Sequence, residues 1–188
     1  SIGALETGKQ IHDDVVGLRL VDIDTTLGNS LIDMYAKCGA PQQVLDVHAR
    51  DVVSWNILIS GYAQQDQGQG YRAFECFEKV QDDCIIPDSI TYLCVLNACS
   101  HSGLLDKAET YFTNMYQKYG ILPTGDHQAC MLVGFACAAD FDKVIGVMKI
   151  MSSSCDSIHI WLALLVSCQE WGNVKLGSLA FDQAFKLD

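Results

Sequence analysis

A short apolar segment recurs five times along this chain of 188 residues, and a second amphipathic segment follows each copy. In one second segment, LLDKAETYFTNMYQKYG, the apolar side chains step by three and four residues, which marks one face of an α-helix. A single pair of such helices cannot bury its apolar face, so the pairs must stack on one another. The repetition therefore predicts an all-α fold, an α-solenoid of helix-turn-helix repeats. The five first segments read GNSLIDMYAKCG, WNILISGYAQ, YLCVLNACSHSG, QACMLVGFACAA and IWLALLVSCQEWG.

The loops between the repeats set the predicted boundaries, because three of them close on an Asp residue. Gly39, Gly103 and Gly172 supply the backbone freedom that a tight turn between two helices needs. The segment FACAADFDKV lacks such a glycine at the corresponding turn. We predict the tail of a preceding repeat at 1–23 and further units at 24–51, 52–88, 89–124, 125–156 and 157–188.

Composition excludes several classes of protein. The nine cysteines show no C-x-x-C spacing and the five histidines no paired spacing with them, so we expect neither a metal nor another cofactor. We expect most of these cysteines to be reduced, small apolar residues inside helices. No window holds 18 apolar residues, so we expect no membrane span. The formal charge of −11 argues against a phosphate-rich partner, since phosphate binding normally rests on Lys and Arg.

The segments GNSLIDMYAKCG, RDVVSWNILISGYAQ, PDSITYLCVLNACSHSGLLDKAETYF and YGILPT resemble the pentatricopeptide repeat proteins of plant organelles, in the subclass of mixed long and short repeats. The end, IWLALLVSCQEWGNVKLGSLAFDQAFKLD, resembles the extension motif that follows the repeats in RNA-editing factors. The resemblance implies a right-handed α-solenoid. It makes 24–51 and 125–156 short repeats, 89–124 a long repeat and 157–188 an extension-type helical repeat.

The resemblance also implies that single-stranded RNA lies along the first helices, with one base read by each repeat. A polar residue early in the first helix and the residue that closes the repeat do the reading. These positions pair Asn29 with Asp51 and Asn56 with Asp88, and the family resemblance implies that an Asn–Asp pair favours uridine. An amide can both donate and accept along a pyrimidine edge. We therefore predict two adjacent units that prefer uridine.

Other positions match further family roles. Val53 and Ile90 match apolar residues that sandwich a base, a role that Thr26 fills less well. Lys37, late in a first helix, matches a phosphate contact. The next two units pair Leu93 with Thr124 and Ala129 with Asp156, and neither Leu nor Ala can hydrogen-bond a base through its side chain. We expect little base recognition by those two units.

A structural interpretation of the same residues stays open. The recurring Asp residues could cap the N-termini of helices, and Asn56 could bond the local backbone at the start of its helix. Lys37 could be a solvated surface charge. We expect Trp55, Tyr62, Trp161 and Trp171 to pack inside the protein rather than to stack on bases.

The predicted function is sequence-specific binding of single-stranded RNA in organellar RNA editing or processing, with recognition of C-to-U sites. A nucleobase deaminase needs H-x-E and P-C-x-x-C, and neither motif occurs, so we expect no enzymatic activity and a deaminase supplied in cis or in trans. We expect location in a mitochondrion or chloroplast, with any targeting segment upstream of this sequence. The alternative is a protein-interaction solenoid that contacts editing accessory proteins and binds little RNA.

Overall fold

The computed structural model describes residues 2–18, 24–44, 51–64, 70–150, 158–170 and 172–185. Within these ranges the chain forms ten α-helices, a 3-10 turn at Pro41–Val44, and no β-strand. No helix in the same ranges is long and apolar enough to cross a membrane. The helices are α1 (Ile2–Gly17), α2 (Thr25–Lys37), α3 (Val52–Ala63), α4 (Gly70–Asp82), α5 (Ser89–Ser102), α6 (Leu105–Tyr119), α7 (Gly125–Cys137), α8 (Phe141–Ile150), α9 (Ile158–Glu170) and α10 (Val174–Phe185).

The chain divides into two compact units, Ser1–Ala98 and Cys99–Asp188. In the first unit, α3 packs against α4, the second helix of its own pair, and against α2, the first helix of the preceding pair. In the second unit, α7 packs in the same way against α8 and against α9. The first helices α2 and α3 therefore lie side by side, as do α7 and α9, which is the packing that stacked helical repeats require.

The core of the first unit comes largely from α3 and α4. Trp55, Leu58 and Ile59 in α3 are fully buried, and Tyr62 is 1% exposed. In α4 the buried side chains fall at three- and four-residue steps, as one apolar face of an amphipathic helix should. The expectation that Trp55, Tyr62 and Trp161 are packing residues is confirmed by their burial, whereas Trp171 lies outside the described residues. The buried α4 residues are Ala73, Phe74, Cys76, Phe77 and Val80.

The first helices of four pairs end in one shared turn. After α2, α5, α7 and α9, a residue in the left-handed region donates its N–H to the carbonyl three residues back, and the next N–H bonds the carbonyl five back. Gly39, Gly103 and Gly172 take this conformation after α2, α5 and α9. After α7 the same place is held by Ala139, with φ of 58°. The missing glycine therefore does not change the turn, and Ala139 carries the strain instead.

We predict that Ala139→Gly stabilises the second unit by about 0.5–1 kcal/mol. A β-carbon in the left-handed region costs about 1–2 kcal/mol, and the greater freedom of glycine in the unfolded chain offsets part of the gain. The matched control is Ala138→Gly, because Ala138 has φ of −86° and glycine there brings no relief of strain. Guanidinium unfolding followed by circular dichroism measures both variants. An Ala139→Gly variant no more stable than wild type would contradict the prediction.

Candidate nucleic-acid interface

The recurring Asp residues cap helices. Asp51 accepts the backbone N–H of Ser54 at 2.8 Å, and its own N–H donates to Ser54 Oγ at 3.3 Å, which closes a capping box at the start of α3. Asp88 and Thr91 exchange the same two bonds at the start of α5, at 2.8 and 3.1 Å. Asp24 likewise accepts the N–H of Thr26. The N-cap interpretation is confirmed for these three residues.

Two of the capping carboxylates also accept an amide from the preceding repeat. Asn29 Nδ2 donates to both carboxylate oxygens of Asp51 at 3.5 Å, and Asn56 Nδ2 donates to Asp88 Oδ1 at 3.2 Å. An ionised carboxylate offers about four acceptor positions, so one Asp can cap a helix and hold an amide at the same time. The structure thus brings together both predicted Asn–Asp pairs. Their role in base recognition stays a prediction.

The first of these pairs is held in its charged form. Partial burial raises the pKa of Asp51, but hydrogen bonds from the Ser54 backbone, the Ser54 hydroxyl and the Asn29 amide together bring it below its ordinary value. Asp51 is therefore ionised at neutral pH and acts purely as an acceptor. A carboxylate in this state orients a neighbouring amide with its NH2 group inward.

A cavity of about 350 Å³ lies beside Asn56, between α2, α3 and the beginning of α5. We call it the Asn56 cavity. All eight predicted site residues fall in the described part of the chain, and Thr26, Asn29 and Asp51 lie outside this cavity. Val53 is 48% exposed and Ile90 is 58% exposed, which leaves apolar surface open at the cavity. Five predicted residues line it, namely Lys37, Val53, Asn56, Asp88 and Ile90.

Apart from Asp33, the remaining walls of the cavity are uncharged. A β-carbon at Gly61 would lie 2.7 Å from Ala36 Cβ, so a glycine is needed where α3 approaches α2 this closely. Both residues line the cavity. Burial, with a smaller contribution from the charge of Asp88, raises the pKa of Cys94 to about 11. The Cys94 thiol is therefore neutral at physiological pH and adds a weakly polar wall.

The cavity lining carries one cationic and two acidic side chains. Lys37 Nζ lies 2.6 Å from Asp33 Oδ2, four residues earlier in α2, and both residues line the cavity together with Asp88. The Lys37 side chain is 76% exposed, and exposed ion pairs contribute about 0–1 kcal/mol, so the pair can open at little cost. The predicted phosphate contact by Lys37 would require that exchange of partners, and it stays a prediction.

The two Asn side chains differ at their carbonyl oxygens. Asn29 Oδ1 accepts a hydrogen bond from Ser54 Oγ at 2.5 Å. Asn56 is 6% exposed, and its Oδ1 is buried with no hydrogen-bond donor in the described structure. A buried acceptor without a donor costs about 1–3 kcal/mol, so an N–H group that reached Asn56 Oδ1 would be stabilised there.

Sequence reasoning missed three residues at this interface. Ser54 and Thr91 stand three positions after Asp51 and Asp88, which is the spacing of a capping box and could have been recognised. Asp33 stands four positions before Lys37, the spacing of an ion pair on a helix. These contacts determine which atoms of the predicted residues remain available to a ligand.

The two later units give a different result. Leu93 and Ala129 are half-buried, and the N–H of Thr124 donates to His127 Nδ1 at 3.2 Å at the start of α7. Asp156, the predicted partner of Ala129, lies outside the described residues. Within the described ranges, no group of three His, Cys, Asp or Glu residues could hold a metal ion.

Comparison with known proteins identifies relatives along the whole chain. Residues 50–101 match the PPR repeat family, and residues 29–50 and 90–118 match the PPR repeat. A pentatricopeptide repeat-containing protein of Arabidopsis thaliana is 38% identical over 98% of this chain. A mitochondrial pentatricopeptide repeat-containing protein and the chloroplastic protein CRR2, both from Arabidopsis thaliana, are each 36% identical over 99% and 100% of the chain. The chain spans 27%, 28% and 29% of the lengths of these three relatives.

Solved structures share the fold. The pentatricopeptide repeat protein PPR10 in complex with an 18-nt psaJ RNA element matches with a TM-score of 0.70 and 16% identity, over 92% of this chain and 27% of that one. The PPR domain of Arabidopsis thaliana protein-only RNase P 1, in complex with tRNA, matches with a TM-score of 0.59 and 17% identity, over 92% and 89%. The predicted all-α solenoid fold class is confirmed.

Proposed function

Because this chain is a pentatricopeptide repeat protein, we propose that it binds single-stranded RNA and that the Asn56 cavity holds a uracil base. One observation carries the proposal: an Asn–Asp pair lines a cavity that two exposed apolar side chains, Val53 and Ile90, also line. The fold supports it, since two solved proteins of this fold are complexes with an RNA element and with tRNA.

The chemistry of the amide favours uracil over cytosine. Asp88 accepts one N–H of Asn56 Nδ2, so the NH2 group faces the carboxylate and the carbonyl oxygen is left for the ligand. Uracil carries an N–H at ring position 3, between two carbonyl oxygens. Cytosine has a bare acceptor nitrogen at that position, which would meet the Asn56 carbonyl oxygen with no proton between them. Uracil is therefore preferred because cytosine lacks the N–H donor that the Asn56 carbonyl oxygen would accept.

Apolar side chains would hold the base on both faces. Val53 and Ile90 come from successive first helices and line the same cavity, so a planar base between them would cover apolar surface on each side. Burial of that surface supplies affinity that does not depend on the identity of the base. Specificity and affinity thus come from different residues of one cavity.

Few cationic side chains are available to contact the phosphate backbone of RNA. The chain has 12 Lys and Arg residues against 23 Asp and Glu, and Lys37 is the cationic side chain at the Asn56 cavity among the described residues. Each phosphate contact that releases a counterion steepens the salt dependence of binding, so we expect weak binding with a shallow salt dependence.

The finer role rests on the family resemblance. We propose that Asn29 with Asp51 forms a second, adjacent uridine site, with Thr26 and Val53 beside its base. We also propose that the repeats have the boundaries predicted from the sequence, with mixed long and short repeats and a final extension motif. The chain would select C-to-U editing or processing sites in a mitochondrion or chloroplast, and a deaminase in cis or in trans would act on the RNA. Relatives named mitochondrial and chloroplastic support that location.

Equilibrium binding tests the proposal. Fluorescence anisotropy with short RNAs of one flanking sequence, carrying U, C, A or G at two adjacent positions, should give tightest binding with U at both. A DNA strand and an RNA duplex of the same sequence serve as controls and should bind more weakly. Equal affinity for all four bases would contradict uridine recognition. No binding of any RNA at low salt would contradict the proposal and favour a protein-interaction solenoid that contacts editing accessory proteins.

A further inference from the structure

The two Asn–Asp pairs differ in one hydroxyl contact. At the first pair, Ser54 Oγ lies 2.5 Å from Asn29 Oδ1 and 3.0 Å from Asp51 Oδ1, so the Asn29 carbonyl oxygen is the nearer acceptor for its single proton. At the second pair, Thr91 Oγ1 lies 2.9 Å from Asp88 Oδ1, while Asn56 Oδ1 is left without a donor in the described structure. The same capping position thus engages the Asn carbonyl in one repeat and leaves it unengaged in the next.

We propose that Ser54 determines specificity by holding Asn29 in a locked state that discriminates weakly between uracil and cytosine. This inference rests on the proposed function. It makes the two predicted uridine sites unequal, with strong selection at Asn56 and weak selection at Asn29. It also places the determinant of one repeat on the first turn of the following repeat, because Ser54 belongs to α3.

The argument follows from the hydrogen bonds available at each site. A uracil N–H that approaches Asn29 Oδ1 must displace the Ser54 hydroxyl or share the oxygen with it, so the exchange gains little. A uracil N–H that reaches Asn56 Oδ1 forms a bond where the described structure has none, and it removes the cost of a buried unpaired acceptor. A carbonyl oxygen has two acceptor positions, so Ser54 weakens recognition at Asn29 without abolishing it.

The ionised state of Asp51 supports the proposal that the Asn29 side chain is held in place. Asp51 is ionised and accepts both the Ser54 backbone N–H and the Asn29 amide, so the NH2 end of Asn29 is also engaged. Both ends of the Asn29 side chain therefore have protein partners. At the second site Asp88 engages only the NH2 end of Asn56 in the described structure.

The test compares Ser54→Ala with Thr91→Ala. Each variant removes the hydroxyl of a capping box, at Asp51 or at Asp88, so the cost in helix capping is matched. Only Ser54→Ala removes a hydroxyl that touches an Asn carbonyl. The readout is the ratio of dissociation constants for RNAs that carry C or U at one of the two adjacent positions, in four RNAs with UU, UC, CU and CC. A general loss of affinity cancels from that ratio.

We expect wild type to discriminate more strongly at one position than at the other. Ser54→Ala should raise the weaker C-to-U ratio by about three- to ten-fold, the size of one hydrogen bond, whereas Thr91→Ala should raise neither ratio. If Ser54→Ala does not fold, Ser54→Cys replaces the hydroxyl by a weaker donor and should raise the same ratio by a smaller factor.

Two results would overturn the inference. Equal ratios at the two positions in wild type would show that the sites are equivalent. A Ser54→Ala ratio unchanged from wild type, or matched by Thr91→Ala, would show that the hydroxyl does not restrain Asn29. Failure of the proposed function looks different, because wild type would then show no preference for U at either position.

Discussion

Replacement of Asn56 by Ala is expected to reduce the preference for U over C at one position of the bound RNA by about ten-fold. The variant loses both the NH2 group that donates to Asp88 and the carbonyl oxygen that has no donor in the described structure. The apolar contacts of Val53 and Ile90 remain, so overall affinity should fall less than the preference does. The ratio of dissociation constants for RNAs that differ at that position measures the effect.

The control for this variant is Asn114→Ala. Asn114 is half-buried in α6, so the change removes an amide of the same size from the second unit. The C-to-U ratios of this variant should equal those of wild type. If Asn56→Ala kept the wild-type preference at both positions, the Asn56 amide would have no part in base selection.

Replacement of Trp55 by Ala is expected to destabilise the first unit by about 3–5 kcal/mol, because it empties the volume of the largest fully buried side chain among the described residues. Guanidinium unfolding followed by circular dichroism should show a transition at lower denaturant. Val53→Ala, two residues earlier on α3 and 48% exposed, is the matched control and should shift the midpoint far less. Similar shifts for the two variants would mean that Trp55 is accessible and could stack on a base.

Trp55→Ala and Asn56→Ala test two adjacent residues that we expect to have different roles. Trp55 and Asn56 adjoin on α3, and one is fully buried while the other lines the cavity. Each residue of an α-helix is rotated by about 100° from the one before it, which places these two side chains in different surroundings. We therefore expect Trp55→Ala to lower stability and Asn56→Ala to alter base preference with a smaller effect on stability.

Most of the fold follows from periodic patterns in the sequence. Apolar residues at three- and four-residue steps predicted the helix pairs, and glycines predicted three of the four shared turns. The turn at Ala139 has no glycine signal, although Ala139 takes φ of 58° and bears the strain of the left-handed conformation. The sequence therefore predicts this turn only where glycine occupies the left-handed position.

The pairing of Asn with Asp could not be derived from spacing. Asn29 and Asp51 are 22 residues apart, whereas Asn56 and Asp88 are 32 apart, yet both pairs are in contact. The constant feature is that the Asp caps the next first helix, with its carboxylate in contact with the Asn of the preceding one. A change of length between them is absorbed elsewhere in the repeat, and the family resemblance supplied the pairing.

The difference between the two Asn residues was beyond sequence reasoning. Ser54 and Thr91 both provide a hydroxyl at the third position of a first helix, and both bond the capping Asp. Whether that hydroxyl also reaches the Asn carbonyl depends on small shifts in side-chain placement. Residue types and spacing do not determine such shifts.

The most direct measurement of the central claim is photo-crosslinking followed by peptide mapping with mass spectrometry. 4-Thiouridine is placed at the RNA position where Asn56→Ala removes the preference for U over C. We predict crosslinks in the peptides that carry Val53 and Asn56 or Asp88 and Ile90, which line the Asn56 cavity. Unlabelled RNA with U at that position should compete with the crosslink better than RNA with C. Crosslinks concentrated in α4 at Gly70–Asp82, with none at the cavity residues, would contradict the account.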